Sequence, residues 1–169
     1  TDALVRRLMD LPQPLVLDAD GINALAGHMD EWERRRGRVT VLTPHEGEFL
    51  RVGGDLSQGR TAAAEDFARR SGAVVVLKGA GTVVAGPDGR CRVNTTGNCG
   101  MAKGGSGDVL SGVVLALLGL GMDAFDACCC AVWLHGRAGD LTAQEKGQWG
   151  MTPTDLLERL PQALREVTE

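Results

Sequence analysis

Apolar residues follow two different spacings along the chain. They recur at helical spacing over 2–9 and 59–71, whereas short continuous Val- and Leu-rich runs occur at 15–17, 39–42 and 73–77. Runs that are apolar on both faces are typical of parallel strands covered by helices on each side. A helix between two such strands completes a βαβ unit. The pattern therefore predicts an α/β fold, a mostly parallel sheet flanked by helices, in a single domain over residues 1–169.

The pattern changes after residue 81. Two short apolar segments, 82–85 and 90–93, flank Gly86-Pro87-Asp88-Gly89, and this arrangement predicts a hairpin at the edge of the sheet. Three helices are expected beyond it, over 109–118, 123–143 and 153–166. Thr152 and Pro153 suit the N-cap and first turn of the last one.

Composition and charge restrict the possible partners and compartments. With 43% hydrophobic and 24% charged residues, the chain is typical of a water-soluble globular protein. A net charge of −4 argues against nucleic acid as the main partner, and no apolar stretch predicts a membrane partner. An odd count of five cysteines, three of them adjacent at 128–130, indicates a reducing, cytoplasmic location. An open sheet edge and the Cys- and Trp-containing segment 128–134 lead us to expect a homo-oligomer.

Polar residues follow the predicted strands where each strand ends. Asp18 and Asp20 come after the first strand, His45 after the second, Lys78 after the third and Asn94 after the hairpin. In open α/β sheets, ligands bind at the edge formed by the carboxyl ends of the strands. The sequence therefore predicts a ligand site at this edge.

A glycine-rich segment over 95–107 precedes the helix that begins near Val109. Glycines before a helix allow successive backbone amides to face one point, and the helix dipole favours an anion there. We interpret the segment as a phosphate cradle, although neither the Walker A nor the GxGxxG spacing is present. Asp108 could be a helix-start carboxylate that is paired with Ser106 as N-cap. Alternatively, a bound polyphosphate would raise its pKa and let it accept a hydroxyl proton.

Four motifs occur in an order that resembles a known family: Asp18-Ala19-Asp20-Gly21-Ile22-Asn23, Thr43-Pro44-His45-Glu46-Gly47-Glu48, Lys78-Gly79-Ala80-Gly81-Thr82 and the segment 94–112. The family is the ADP-dependent NAD(P)H-hydrate dehydratases, a ribokinase-like branch. The resemblance implies a ribokinase-like fold and a hydro-lyase of metabolite repair. Members use ADP, or ATP in eukaryotic relatives, to drive loss of water from NADH or NADPH hydrated at C6.

The resemblance also implies roles for individual residues. Asp108 would be the base at the substrate hydroxyl, and Mg²⁺ is an expected helper, although no metal ligands are evident in the sequence. The adenine nucleotide would be bound by Lys78, Gly79, Ala80, Gly81, Thr82, Gly104, Gly105, Ser106 and Gly107. The hydrated coenzyme would be bound by Asp108 together with His45, Asp18, Asn23 and Asn98.

Several of these residues have simpler interpretations. His45 could cap the following helix, Lys78 could be a surface residue, and Asp18 could form a turn. Four residues depart from the family pattern: Glu46 and Cys99 stand where proline is common, and Ser106 stands where threonine is common. Lys103 stands where a small residue is common, and it would add or perturb a phosphate contact. Family domains also carry a further N-terminal portion, which we expect to be missing from these 169 residues.

Two other functions fit the same residues. One is a ribokinase-like kinase that phosphorylates a small alcohol, because a glycine cradle with an aspartate serves that reaction equally well. The other is a non-catalytic fragment that binds nucleotide or only oligomerises. The motifs around His45 and 94–100 favour the dehydratase.

Overall fold

A five-stranded mixed sheet forms the centre of the computed structural model, which describes residues 2–168. Its strands lie side by side in chain order: β1 (Leu15–Leu17), β2 (Thr40–Leu42), β3 (Val74–Leu77), β4 (Val83–Ala85) and β5 (Cys91–Val93). The first three are parallel, and β4 is antiparallel to both β3 and β5. The expected mostly parallel sheet with an antiparallel hairpin at one edge is confirmed.

Helices cover both faces of this sheet. One face carries α1 (Asp2–Leu8), α2 (Asp20–Asn23), α3 (Met29–Glu33), α4 (Glu46–Arg51) and α5 (Arg60–Ser71). The other carries α6 (Ser106–Gly119) and α7 (Ala124–Gly150), and α8 (Pro153–Thr168) packs against α7. Because side chains alternate along a strand, Val75 and Leu77 of β3 enter the first core, whereas Val74 and Val76 enter the second. None of the helices within residues 2–168 has the length and apolarity needed to cross a membrane.

Several helices differ from the sequence expectation. The short helices α2, α3 and α4 were not expected from the apolar pattern, and α4 begins at Glu46, shortly after β2 ends at Leu42. Helix α7 extends to Gly150 rather than ending near 143, with a non-helical Gly147 at φ 69° inside it. The predicted Thr152 cap is confirmed, since its hydroxyl accepts from the backbone N–H of Asp155 at 3.4 Å as α8 begins.

Pairing continues beyond the strands at their carboxyl ends. His45 and Lys78 form an isolated parallel bridge, and the Lys78 amide donates to the Pro44 carbonyl at 2.8 Å. The polar residues after β2 and β3 therefore lie next to each other, at the edge where the sequence predicted a ligand site.

Candidate functional site

An ion pair between Asp18 and Lys78 lies at this edge. The Lys78 ammonium donates to Asp18 Oδ1 at 2.6 Å and lies 3.9 Å from Glu48 Oε2. Its side chain is 22% exposed, so the surface interpretation of Lys78 is wrong. Asp18 follows β1 and Lys78 follows β3, and the sheet order places these two ends on either side of β2.

The Asp18 carboxylate also accepts hydrogen bonds from two other groups. Its Oδ2 accepts from the Ser111 hydroxyl at 3.2 Å, and its Oδ1 accepts from the Ala19 amide at 2.9 Å. Ala19 has φ 46°, an unusual value for a residue with a side chain. Asp18 therefore forms a local turn and also joins β1 to α6.

The first turn of α6 approaches this ion pair closely. A Cβ added at Gly107 would lie 3.2 Å from Asp18 Oδ2 and 3.4 Å from Lys78 Nζ. The next residue, Asp108, is exposed, and among residues 2–168 its carboxylate has no hydrogen-bond or ion-pair partner. The Asp108 carboxylate is therefore available to a ligand beside the Asp18–Lys78 pair.

The glycine segment ends in a helix start that differs from the one expected. Gly105, at φ 95°, is the N-cap of α6 and makes no side-chain cap, so the interpretation of Ser106 as N-cap is wrong. Ser106 is buried inside the first turn, and its amide donates to the Lys103 carbonyl at 3.2 Å. The amides of Gly107 and Asp108 have no acceptor among the described residues, and free amides at a helix start attract anions.

The turn after β3 presents further free amides. Gly79, at φ 150°, and Gly81, at φ 64°, shape this turn, and the Thr82 hydroxyl donates to the Gly79 carbonyl at 3.1 Å. Within residues 2–168 no acceptor is bonded to the amides of Gly79, Gly81 or Thr82. The turn therefore offers donors at the same edge as the start of α6.

His45 caps α4. Its Nδ1 accepts from the amides of Gly47 and Glu48, at 3.0 and 3.3 Å, and the Glu48 carboxylate accepts from the His45 amide at 2.8 Å. This is a reciprocal capping box, so the helix-cap interpretation of His45 is confirmed. The imidazole remains 58% exposed, which leaves it accessible to a ligand.

Asn98 and Asn23 lie in different surroundings. Asn98 Nδ2 donates to Asp140 Oδ1 at 3.0 Å, and the other oxygen of Asp140 accepts from the Gly97 amide at 2.9 Å. Asp140 thus fixes the start of the glycine segment to α7. Asn23 instead accepts from Arg51 at 2.5 Å, and it has no bond to the Asp18–Lys78 pair.

Lys103 has a structural role. Its ammonium donates to the carbonyls of Trp149 and Met151, at 3.0 and 2.5 Å. These carbonyls lie where α7 ends and α8 is about to begin, and cations there satisfy otherwise unpaired acceptors. The Lys103 ammonium therefore binds the α7–α8 corner instead of adding or perturbing a phosphate contact, and it holds the glycine segment to that corner.

His135 of α7 is a largely buried group near the glycine segment. Burial lowers the pKa of His135 most, the charge of Lys78 lowers it as well, a hydrogen bond with the Ser106 backbone opposes both, and the net pKa is about 4. Its buried Nε2 has no hydrogen-bond partner within residues 2–168. The imidazole is therefore neutral at pH 7.

A cleft of about 350 Å³ runs along the β4–β5 hairpin rather than over the Asp18–Lys78 pair. Asn94, Thr95 and Trp133 line it close to the start of the glycine segment. Across residues 2–168, no three His, Cys, Asp or Glu side chains are grouped so that they could hold a metal ion.

Sequence reasoning missed several residues of this site. Arg60, Ser111 and Asp140 contact the site from helices, and their partners lie far away along the chain. The sequence signal that could have indicated this contact is the pair of glycines, Gly136 and Gly139, that precede Asp140 on α7. A Cβ at Gly136 would lie 2.2 Å from Thr96 Oγ1, and one at Gly139 would lie 2.3 Å from Met101 Sδ.

Comparison with known sequences identifies one family. The family model described as NAD(P)H-hydrate dehydratase matches residues 1–162. A bifunctional NAD(P)H-hydrate repair enzyme Nnr of Thermofilum pendens is 47% identical over 161 residues, which is 93% of this chain and 30% of the relative. The ADP-dependent (S)-NAD(P)H-hydrate dehydratase of Bacillus subtilis is 40% identical over 152 residues, or 88% of this chain and 53% of the relative. The chain thus spans between about a third and a half of these relatives.

A solved structure shows the same fold. It is the ADP/ATP-dependent NAD(P)H-hydrate dehydratase of Bacillus subtilis, co-crystallised with ATP/Mg²⁺. It superposes with a TM-score of 0.82 at 36% identity, over 96% of this chain and 58% of the solved chain. The expected ribokinase-like fold is confirmed.

Proposed function

Since this chain belongs to the NAD(P)H-hydrate dehydratase family, we propose that it provides the site at which an adenine nucleotide drives the dehydration of hydrated NADH or NADPH. One observation supports this most directly. The start of α6 lies against the Asp18–Lys78 pair at Gly107, and the next residue, Asp108, has an exposed carboxylate with no partner among residues 2–168. Free amides, a lysine and an unpaired carboxylate thus meet at one sheet edge.

The proposed chemistry follows from these groups. Hydroxide is a poor leaving group, so phosphorylation of the C6 hydroxyl makes the elimination feasible. Phosphoryl transfer needs positioned donors at the nucleotide and a base at the attacking oxygen. We assign the first role to Lys78–Thr82 and residues 104–107, where the amides of Gly79, Gly81, Thr82 and Gly107 have no acceptor among residues 2–168, and the second to Asp108. When Asp108 takes the hydroxyl proton, the hydroxyl oxygen attacks the terminal phosphorus of the nucleotide, and the bridging P–O bond breaks, so that ADP leaves as AMP. The C6–O bond then breaks and releases phosphate, while the adjacent ring carbon loses a proton to solvent and the ring double bond forms.

The hydrated coenzyme is assigned to the opposite side of the site. His45 offers an exposed imidazole after β2, and Asp18 lies next to it across the sheet edge. Asn98 and Asn23 complete the proposed set, and they are hydrogen-bonded to Asp140 and Arg51, respectively.

Magnesium has no dedicated protein site among the described residues. Two acidic groups at the edge, Asp18 and Glu48, both face the Lys78 ammonium. We infer that Mg²⁺ arrives on the nucleotide phosphates, which commonly bind it with few protein ligands. No step of the proposed reaction is assigned to it.

We further propose a cytoplasmic location and self-association. The five cysteines are all free, which suits a reducing compartment. Exposed apolar side chains are candidates for an interface between copies, including Leu120, 80% exposed, and Trp149, 98% exposed.

The test of the proposed function is an assay with hydrated NADH. The protein is incubated with ADP and hydrated NADH, and the return of reduced-coenzyme absorbance is followed. Recovery that requires ADP supports the dehydratase. Consumption of ATP with formation of a phosphorylated alcohol would instead identify a kinase. Nucleotide binding without either reaction would identify a non-catalytic fragment.

A further inference from the structure

Arg60, the first residue of α5, forms hydrogen bonds with the turn that follows β3. Its Nη1 donates to the carbonyls of Ala80 and Gly81 at 2.5 and 3.2 Å, and its Nη2 donates to those of Leu77 and Lys78 at 2.9 and 3.0 Å. One guanidinium thus donates to four carbonyls within five consecutive residues.

Arg60 has no Nη hydrogen left for a ligand. A guanidinium carries four N–H groups on its two Nη atoms, and all four are used by the turn. The remaining Nε lies 3.2 Å from Glu46 Oε1 on α4, as an ion-pair contact. Arg60 is therefore suited to holding the turn in place and not to binding phosphate.

The hydrogen bonds from Arg60 to these carbonyls determine the direction in which the amides of the same peptide groups point. In a planar trans peptide, C=O and N–H point in opposite directions. The carbonyls of Lys78, Ala80 and Gly81 face Arg60, so the amides that follow them, those of Gly79, Gly81 and Thr82, point away from it. These are the amides that have no acceptor within residues 2–168.

The sequence of the turn is adapted to this contact. A Cβ at Gly79 would lie 2.6 Å from Arg60 Nη2, and Gly79 has φ 150°. Any other residue at 79 would displace the guanidinium. Gly79 and Arg60 are thus parts of one arrangement, joined to α4 through Glu46.

We propose that Arg60 is a positioning residue that keeps the amides of Gly79, Gly81 and Thr82 turned outward for an adenine nucleotide. The inference rests on the proposed function only in taking nucleotide as the ligand of this turn. It adds a residue outside the four motifs and connects the turn to α4, because Arg60 Nε lies 3.2 Å from Glu46 Oε1.

The test compares ADP binding by the wild-type chain with that of Arg60→Ala, Arg60→Lys and Arg69→Ala, using calorimetry. Arg69 is the matched control, because it lies on the same helix, is 72% exposed and pairs with Asp66. Lysine keeps the charge but cannot span four carbonyls. We expect the Kd for ADP to rise about tenfold or more in both Arg60 variants and to stay within about twofold in Arg69→Ala.

A second readout needs no nucleotide. The ¹⁵N order parameters of Gly79 and Gly81 should fall in both Arg60 variants and stay unchanged in Arg69→Ala. Unchanged order parameters, or ADP affinity equal to wild type, would overturn the proposal; Arg60→Lys keeps the test valid if Arg60→Ala fails to fold. A wild type that binds ADP but never restores hydrated NADH refutes the proposed function alone. One that binds no ADP refutes both.

Discussion

Asp108 is exposed in the first turn of α6, and the proposed reaction needs its carboxylate as a base. Replacing it with asparagine keeps the size and the helix start but removes the proton acceptor. We expect Asp108→Asn to lower turnover by a factor of about 10² or more, while the Kd for ADP changes by less than about threefold. The measurements are the hydrated-NADH assay and calorimetry with ADP.

Asp126 provides the matched control for this prediction. It is also an exposed aspartate in the first turn of a helix, in this case α7, and its nearest cation is Arg90 at 3.5 Å. Asp126→Asn should retain wild-type turnover. If Asp108→Asn turns over as fast as Asp126→Asn, Asp108 has no part in the chemistry.

His135 leads to a prediction about pH and stability. Its pKa is lowered to about 4 in the fold from 6.5, so between these values the unfolded chain binds a proton that the folded chain does not. The free energy of unfolding is therefore highest above pH 6.5, and it falls by about 2 to 3 kcal/mol as the pH drops toward 4. Urea unfolding at pH 7 and pH 5 measures the difference. His135→Gln should lose less stability over this interval, with His28→Gln behaving as wild type.

Individual residues of the site differ in how far the sequence could predict them. Asp18, His45 and Lys78 could be found because each directly follows an apolar strand. Arg60 and Asp140 could not, because their contacts join residues 17 to 43 positions apart and depend on how helices dock. Asp18 and His45 also show that one side chain can both cap a local turn and face the site.

Helix α7 provides a prediction about packing between elements. Gly136 faces the backbone of the glycine segment, and a Cβ there would lie 2.2 Å from Thr96 Oγ1 and 2.7 Å from Thr96 C. Gly136→Ala should therefore lower the free energy of unfolding by about 1 to 3 kcal/mol, because backbone must move. The measurement is equilibrium unfolding in urea.

Gly112 of α6 is the matched control for Gly136. A Cβ there would meet nothing within 4 Å. Gly112→Ala should stabilise the protein by about 0.5 to 1 kcal/mol, because alanine restricts the unfolded chain and favours helix. Equal effects of the two substitutions would contradict the close packing of α7 on the glycine segment.

Elements with a strong apolar period or a clear turn motif were predicted well, and the short helix α4 was not. The three Val- and Leu-rich strands and α5 lie where the pattern placed them. Helix α4 is only 6 residues long and depends on the His45–Glu48 capping box rather than on periodicity. The extension of α7 beyond 143 is polar, and its carbonyls are held by Lys103 from another part of the chain.

At the scale of the whole molecule, two cores share one sheet. Phe67 lies in the core under α5, and Cys128 lies in the core under α7, each at 0% exposure. If residues 1–169 form one domain, Phe67→Ala should destabilise both cores together, by about 3 to 5 kcal/mol.

Alkylation of Cys128 measures this coupling. Burial raises the pKa of the Cys128 thiol, so in the folded protein it reacts slowly. In Phe67→Ala, alkylation of Cys128 and loss of far-ultraviolet circular dichroism should shift to the same lower urea concentration. A Cys128 that stays protected after the dichroism is lost would show that the two sides of the sheet unfold separately.

Lys103 has a consequence for how the glycine segment moves. Asp140 holds the segment at Gly97, Lys103 holds it to the α7–α8 corner, and α6 begins at Ser106. Between the last two points only Gly104 and Gly105 intervene, and a Cβ at Gly105 would lie 3.0 Å from Pro153. We therefore expect little backbone motion between Lys103 and Ser106 apart from rotation at Gly104. An anion that binds there should lose little affinity to the entropic cost of ordering the segment.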